Sequence, residues 1–198
     1  DSAIVYYEKA LAIAREIGDK HSETKFLGNI GSACWGDGSF ELAITHFSEA
    51  LLLAREVGDR RSEGIHLGNR GYVFFDLERL SEAESAFREA IQICDEVVPA
   101  AAGAFRGSLA LLVAQRGQFD EAQALLDAGE AQVGSYPGEH VKFLCKRGQV
   151  CFMAGASEAA RAALKEAQDI SLRAQFLDES LVGQSLAALA LLLETPSE

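Results

Sequence analysis

Residues 3–31 read AIVYYEKALAIAREIGDKHSETKFLGNIG and recur as residues 43–71, which read AITHFSEALLLAREVGDRRSEGIHLGNRG. The two stretches share 15 identical residues in 29 positions, and every match is separated by 40 residues. Identities at one fixed offset indicate an internal repeat, because two unrelated helices of similar composition would not align at a single spacing. The sequence therefore predicts an array of structural repeats, which bury their apolar faces by stacking on one another.

The same period continues along the chain as a small–large–small pattern at positions i, i+4 and i+7, which lie on one face of an α-helix. Small residues let a neighbouring helix approach closely, and the large residue fills the space between them. A second pattern, centred on another small residue, precedes each copy and predicts a first helix that pairs with the second. The small–large–small positions are Ala43, Phe47 and Ala50; Ala83, Phe87 and Ala90; Ala122, Leu126 and Gly129; and Ala160, Leu164 and Ala167.

These patterns predict an all-α chain of about ten antiparallel helices in one domain, residues 1–198. A helix of the second type is expected at residues 2–17, and an unpaired helix of the first type at residues 177–193. The marks drift in the later repeats, where Gly129 replaces the last alanine. The four full helix pairs are expected at residues 22–57, 62–97, 100–133 and 139–173.

Composition argues against several other classes of protein. The net charge of −12 would repel a phosphate backbone, so nucleic acid is not an expected partner. No uncharged apolar run reaches the roughly 18 residues of a transmembrane helix, so no membrane partner is expected. The first residues show no signal peptide. The chain does not begin with methionine, which predicts a fragment or a processed chain. Four cysteines without a CxxC motif are interpreted as reduced core thiols of a cytoplasmic protein: Cys34, Cys94, Cys145 and Cys151.

No motif predicts catalysis, a cofactor or a metal ion. Gly28 and Gly31 lie within a predicted helix and recur 40 residues later, so close helix packing explains them better than a nucleotide-binding loop. The histidines form no HxxxH or HExxH motif, and the carboxylates are interpreted as solvated helix faces. The chain is therefore expected to be no enzyme and to carry no cofactor or metal site. The histidines are His21, His46, His66 and His140.

The first full repeat resembles the tetratricopeptide repeat, through Leu27, Ile30, Gly31 and Cys34 of its first helix and Ala43, Phe47 and Ala50 of its second. The resemblance covers nearly the whole chain. The 40-residue period and the Leu-Gly-Asn triplets are similar to the longer variety of the repeat, found in Leu-Gly-Asn-repeat adaptors, kinesin light chains and the sensor regions of bacterial signalling proteins. The resemblance implies a right-handed α-solenoid, a superhelix whose concave face is lined by first helices and binds a peptide or protein segment. It implies no enzyme activity.

Helical spacing places several polar and aromatic residues on that concave face. Asn29 and Asn69 are equivalent, and an asparagine amide can bind a peptide backbone as both donor and acceptor. The alternative is an amide that is satisfied within its own helix pair. Trp35, Tyr72 and Phe75 are either a binding floor, because aromatic rings are favoured at binding hot spots, or part of the core between repeats.

Ser108, Lys142 and Lys146 are the candidate binding residues of the later repeats. The two lysines are four residues apart and lie on one helix face. They resemble the last part of the carboxylate clamp of chaperone-binding tetratricopeptide domains. The earlier parts of that clamp are missing, because Gly68 and Tyr72 stand where it has lysine and asparagine, and Ser108 where it has asparagine. The lysines either capture an acidic side chain or form a solvated helix face.

Arg70 and Arg147 stand where the pattern has a core leucine. A buried guanidinium without a partner would be very costly. Each is therefore expected to reach solvent or to pair with a carboxylate, and Glu63 and Glu139 are the candidate partners.

Peptide or protein binding is the leading hypothesis for function, and two others stay open. The terminal helices could expose apolar surface and cause self-association. The chain could also be the sensory region of a signalling regulator whose effector domain lies outside it.

Overall fold

The computed structural model describes residues 2–177 and 180–194, and these residues form ten α-helices and no strand. The prediction of an all-α chain of about ten helices is confirmed for them. Residues 178 and 179 of the predicted last helix lie outside the described residues, as do the extreme ends of the predicted domain. None of the described helices combines the length and the apolar composition that crossing a membrane requires.

Two compact units make up the chain. Unit 1 comprises residues 1–98 and unit 2 comprises residues 99–198. The helices of unit 1 are α1 (Ser2–Ile17), α2 (Lys20–Gly36), α3 (Phe40–Val57), α4 (Arg60–Asp76) and α5 (Leu80–Val97). The helices of unit 2 are α6 (Pro99–Ala114), α7 (Phe119–Val133), α8 (Pro137–Met153), α9 (Ser157–Ala174) and α10 (Leu181–Glu194).

Two-residue links of glycine and aspartate reverse the chain in unit 1. Gly58 ends α3 in the left-handed conformation, with φ 72°, which a residue with a side chain rarely adopts. Asp59 then caps α4, because its carboxylate accepts hydrogen bonds from the backbone N–H of Ser62 at 3.0 Å and from the Ser62 hydroxyl at 2.7 Å. Such a short link makes consecutive helices antiparallel. The same link recurs between α1 and α2 as Gly18, Asp19 and Ser22.

Phenylalanine rings pack directly against glycines in the helix interiors of unit 1. A Cβ atom on Gly31 would stand 2.9 Å from the Phe47 ring, and one on Gly71 would stand 2.8 Å from the Phe87 ring. Both rings are fully buried. The small residue of the first helix and the large residue of the second thus meet as the sequence pattern predicts, so these glycines serve close packing.

Close packing explains why glycine replaces the last alanine of the sequence pattern at Gly129 in unit 2. A Cβ atom there would stand 2.7 Å from the Phe143 ring and 3.0 Å from the backbone oxygen of Gly103. The two glycines let α6 and α7 approach through their backbones, and the α8 phenylalanine covers the contact.

An ion-pair network repeats with the same 40-residue offset. Arg55 at the end of α3 lies 2.8 Å from the Glu63 carboxylate in α4 and also pairs with Glu89 of α5. Its counterpart Arg15 lies 2.7 Å from Glu23. The Glu63 side chain is 7% exposed and the Glu23 side chain 20%, so the second copy of the network is more deeply buried.

Arg55→Met is expected to lower the free energy of unfolding by about 1–2 kcal/mol. Among the described residues, the buried Glu63 carboxylate would then keep only Arg60 as a partner in an ion pair. Arg15→Met is the matched control, and it should cost less than about 1 kcal/mol since its partner is better solvated. Urea denaturation at neutral pH measures both. Equal losses in the two variants would show that the burial of Glu63 does not determine the strength of the network.

Arg70 and Arg147 are both half-buried, and the Nε atom of each is buried without a hydrogen-bond partner among the described residues. Their terminal guanidinium nitrogens find partners, but the predicted ones, Glu63 and Glu139, are wrong. Glu63 is occupied by other arginines, and Arg70 is half-buried with its guanidinium donating to the Ser48 hydroxyl at 3.3 Å. Glu139 pairs with a lysine of its own helix. Arg147 instead reaches back to two carboxylates of α7, Asp127 at 3.0 Å and Glu130 at 2.7 Å. These partners depend on how neighbouring helices dock, which the repeat pattern does not specify.

Candidate functional site

The partly solvated side of two neighbouring first-type helices, α2 and α4, forms the candidate site of unit 1. The two helices contact each other directly. Residues spaced i, i+4 and i+7 on each helix share one strip, since that spacing follows the helical period. We define the α2–α4 face by six residues that are exposed or half-buried: Lys25, Asn29, Ser32, Ile65, Asn69 and Tyr72.

The amides of Asn29 and Asn69 are half-buried and make no hydrogen bond to any residue that the structure describes. The polar atoms of both amides are not buried, so they are open to solvent. Their neighbour Ser32, by contrast, donates its hydroxyl to the Gly28 carbonyl oxygen at 3.0 Å. The two equivalent amides are therefore not satisfied within their own helix pairs, and they keep donor and acceptor capacity for a partner.

Trp35 and Tyr72 form a stacked pair that joins α2 to α4. Their ring centroids are 5.6 Å apart with an interplanar angle of 8°. The Trp35 indole N–H donates to the Asp76 carboxylate at 2.6 Å, and Tyr72 packs edge-on against the buried Phe87 at 5.2 Å. The pair is half-buried, and its contacts with Asp76 and Phe87 fix both rings. It therefore forms a rigid aromatic platform at the border of the α2–α4 face.

Asp76 belongs to this site, although it was not predicted. It lies four residues after Tyr72, on the same helical strip, and this spacing was the available signal. Its carboxylate is exposed and fixed beside the Trp35 ring, so it places negative charge at one end of the face. Phe75, the remaining aromatic candidate, is half-buried and takes no part in the stacked pair.

The candidates of unit 2 are engaged by neighbours within their own unit. The Lys146 ammonium donates to the buried Ser108 hydroxyl at 2.7 Å and to the Ala104 carbonyl oxygen at 3.4 Å. Lys142 lies 2.6 Å from the Glu139 carboxylate. An acidic ligand would have to displace these partners. The structure thus places Ser108 and Lys146 together, and it pairs Lys142 with an acid of its own helix.

The cysteine thiols are placed for packing. Cys34, Cys94 and Cys145 are buried, and Cys151 is half-buried. Burial raises the pKa of Cys94 and of Cys145 to about 11. These two thiols therefore stay protonated at neutral pH, which makes them poor nucleophiles and poor metal ligands.

Two models with the description Tetratricopeptide repeat match the sequence, one over residues 22–96 and the other over residues 108–171. Together the matches cover more than half of the chain. No curated protein matches it by sequence.

Solved structures share its fold at low sequence identity. BtubC (BKLC) from P. vanneervenii is 14% identical with a TM-score of 0.74, and the alignment covers 96% of this chain and 82% of that chain. A putative kinesin light chain with nearly identical TPR-like repeats from Podosopora anserina is 15% identical with a TM-score of 0.64, covering 89% of each chain. A Rap protein complexed with Competence and Sporulation Factor is 18% identical with a TM-score of 0.67, covering 96% of this chain and 58% of that chain. Such identities show a shared fold alone.

Proposed function

Because this chain belongs to the tetratricopeptide repeat family, whose members are in general non-enzymatic scaffolds for protein–protein interaction, we propose that its α2–α4 face binds an extended or helical segment of another protein. The observation that carries the proposal is the pair of unpartnered, solvent-accessible amides at Asn29 and Asn69. They stand at equivalent positions of successive repeats, so they can hold a partner backbone at two points.

The surroundings of the amides suit a peptide ligand. The Trp35–Tyr72 platform offers apolar area at small cost in conformational entropy, because both rings are already fixed. Asp76 and the net charge of −12 favour a basic segment over an acidic one. A protein of the same fold, Rap, was crystallised with Competence and Sporulation Factor, which supports ligand binding by this architecture.

The test is a selection of peptides from a random displayed library on the immobilised protein, followed by calorimetry on the selected peptides. Asn29→Ala combined with Asn69→Ala should weaken binding at least about tenfold, because backbone groups of the peptide lose their hydrogen bonds and 1.4 kcal/mol is one decade. The fold should persist, since both side chains are only half-buried and neither amide makes a hydrogen bond with the described residues.

Thr45→Ala combined with Gln92→Ala is the matched control, because it removes two exposed polar side chains from the second-type helices α3 and α5. This variant should bind as the parent does. Selected peptides that bind the folded double-asparagine variant with the affinity of the parent would place the binding site elsewhere.

Self-association is a second candidate, and exposed apolar side chains on the terminal helices favour it. Helix α1 exposes Tyr6, Ile13 and Ile17, which are spaced along one face, and α10 exposes Leu181 and Leu191. Isolated exposed leucines are common, but a row on one helix face marks an interaction surface. Light scattering over a concentration series tests this, and the mass of a single chain throughout would dismiss it.

Two coarser expectations accompany the proposal. Burial of neutral thiols fits the reducing cytoplasm, where free cysteines persist. A role as the sensory region of a signalling regulator is compatible with a peptide-binding face, since a bound segment would be the signal that the effector receives.

A further inference from the structure

Three potential metal ligands converge in unit 2 from three different helices. Glu130 lies near the end of α7, His140 in the first turn of α8, and Glu166 in the middle of α9. One ligand atom from each side chain lies within 4.8 Å of the other two. His140 and Glu166 also line a surface cleft of about 430 Å³, which gives an ion and its water ligands access from solvent.

The first two ligands are oriented by their neighbours. The Oε2 atom of Glu130 lies 2.7 Å from the Arg147 guanidinium, which leaves Oε1 directed toward the His140 Nε2 atom at 3.4 Å. A carboxylate fixed through one oxygen presents the other oxygen in a defined direction. Outer partners of this kind orient the ligands of many metal sites.

The third ligand has no other role in the structure. Glu166 is exposed, and its carboxylate makes no ion pair or hydrogen bond with the described residues. Arg173 lines the same cleft, but its Nε donates to the Asp169 carbonyl oxygen at 3.1 Å. Glu166 thus faces a histidine and a carboxylate without a partner of its own.

We propose that Glu130, His140 and Glu166 bind one divalent transition-metal ion, of which Zn²⁺ is the representative. One imidazole nitrogen and two carboxylate oxygens form a ligand set that suits Zn²⁺ and its neighbours better than Mg²⁺ or Ca²⁺, which prefer oxygen alone. Bonds of about 2.0–2.2 Å require the ligand atoms to move closer than they stand now. The long, exposed Glu166 side chain can make that movement by rotation. Water completes the coordination from the cleft.

Metal binding at this place would connect α7, α8 and α9 directly. The ion would act as a cross-link between the end of one helix pair and both helices of the next, so the metal would stabilise unit 2. The rival explanation is a direct contact of the His140 imidazole with the Glu130 carboxylate, at 3.4 Å, which needs no metal. Titration of the chain with Zn²⁺ separates the two, because the rival explanation predicts no binding.

The test is calorimetric titration of the full chain with Zn²⁺ at pH 7.5 in a buffer that does not chelate the metal. We expect one ion per chain, and His140→Gln and Glu166→Gln should each lower the affinity at least tenfold. The matched controls are His21→Gln and Glu139→Gln, which remove an exposed histidine and a nearby carboxylate that pairs with Lys142. Both controls should bind Zn²⁺ as the parent does.

A second measurement keeps the proposal falsifiable if His140→Gln does not fold. Glu166→Gln changes an exposed side chain, so its metal-free melting temperature should match that of the parent, while the rise in melting temperature on adding Zn²⁺ should disappear. Absence of binding to the parent, or stoichiometric binding that survives in both His140→Gln and Glu166→Gln, would overturn the proposal.

Discussion

Phenylalanine in place of Ala90, or of Ala50, is expected to destabilise the chain by about 3 kcal/mol or more, at the upper end of the cost of overpacking. Both alanines are 0% exposed. Each lies on the buried side of a second-type helix, on the same face as the phenylalanine that packs against a glycine of its partner helix. A second ring beside that phenylalanine cannot fit unless the first and second helices of the pair move apart. Thermal melts followed by circular dichroism should show a fall of roughly 10 °C.

Ala162→Phe is the control for this substitution. Ala162 is exposed on α9, another second-type helix, so the ring would extend into solvent and the melting temperature should change little. An unchanged melting temperature in Ala90→Phe would show that the register of the repeat is wrong. A large fall in both variants would indicate a general cost of phenylalanine in these helices.

The fold could be predicted from the sequence because the repeats within the chain can be aligned with one another. Matches at a fixed offset identify the positions that the structure constrains, and small residues among them indicate close helix contacts. Gly31 and Phe47 illustrate this, since their types and spacing were enough to predict that they belong to facing helices.

Features outside the repeat could not be predicted in the same way. Glu78 adopts the left-handed conformation, with φ 57°, at the turn within its helix pair. The equivalent turn of the preceding pair has Gly38, so the glycine that would mark the turn in the sequence is missing at Glu78. The partner of Arg147 depends on how α7 docks against α8. The cluster of Glu130, His140 and Glu166 has no recognisable spacing, because its members come from three helices.

The candidate site stays a prediction. Spacing placed Asn29 and Asn69 on the predicted concave face, and the structure adds that neither amide has a hydrogen-bond partner among the described residues. The structure also shows that the Trp35 indole N–H donates to the Asp76 carboxylate, and this hydrogen bond fixes the orientation of the ring. Hydrogen bonding between helices decides such roles, and a sequence pattern does not contain it.

His66 is expected to make unit 1 sensitive to acid. Its side chain is 7% exposed and packs against Gly28 and the Phe47 ring. Neither ring nitrogen has a hydrogen-bond partner among the residues that the structure describes. Burial lowers the pKa of His66 from 6.5 to about 4, against a weaker opposing attraction from Asp59. A charged imidazolium would have to be buried there without a partner, so the folded state binds the proton less readily than the unfolded state.

The loss of stability therefore falls between pH 6.5 and pH 4. In that interval the unfolded chain binds a proton that the folded chain rejects, so the free energy of unfolding decreases as the pH falls. The stability is fully present above pH 6.5, and a difference of this size in pKa corresponds to about 3 kcal/mol by pH 4. Carboxylates titrate in the same region, so the effect must be measured as a difference between variants.

His66→Phe removes the proton site, and the equivalent position of the preceding repeat already holds a phenylalanine, Phe26. Urea denaturation at several pH values should show the parent losing about 3 kcal/mol more than His66→Phe between pH 7 and pH 4. His21→Phe, at an exposed histidine 45 residues upstream, should follow the parent. Parallel losses in the parent and in His66→Phe would mean that the folded chain protonates His66 as easily as the unfolded chain does. The close contact of that ring with Gly28 would then have to open without a measurable cost.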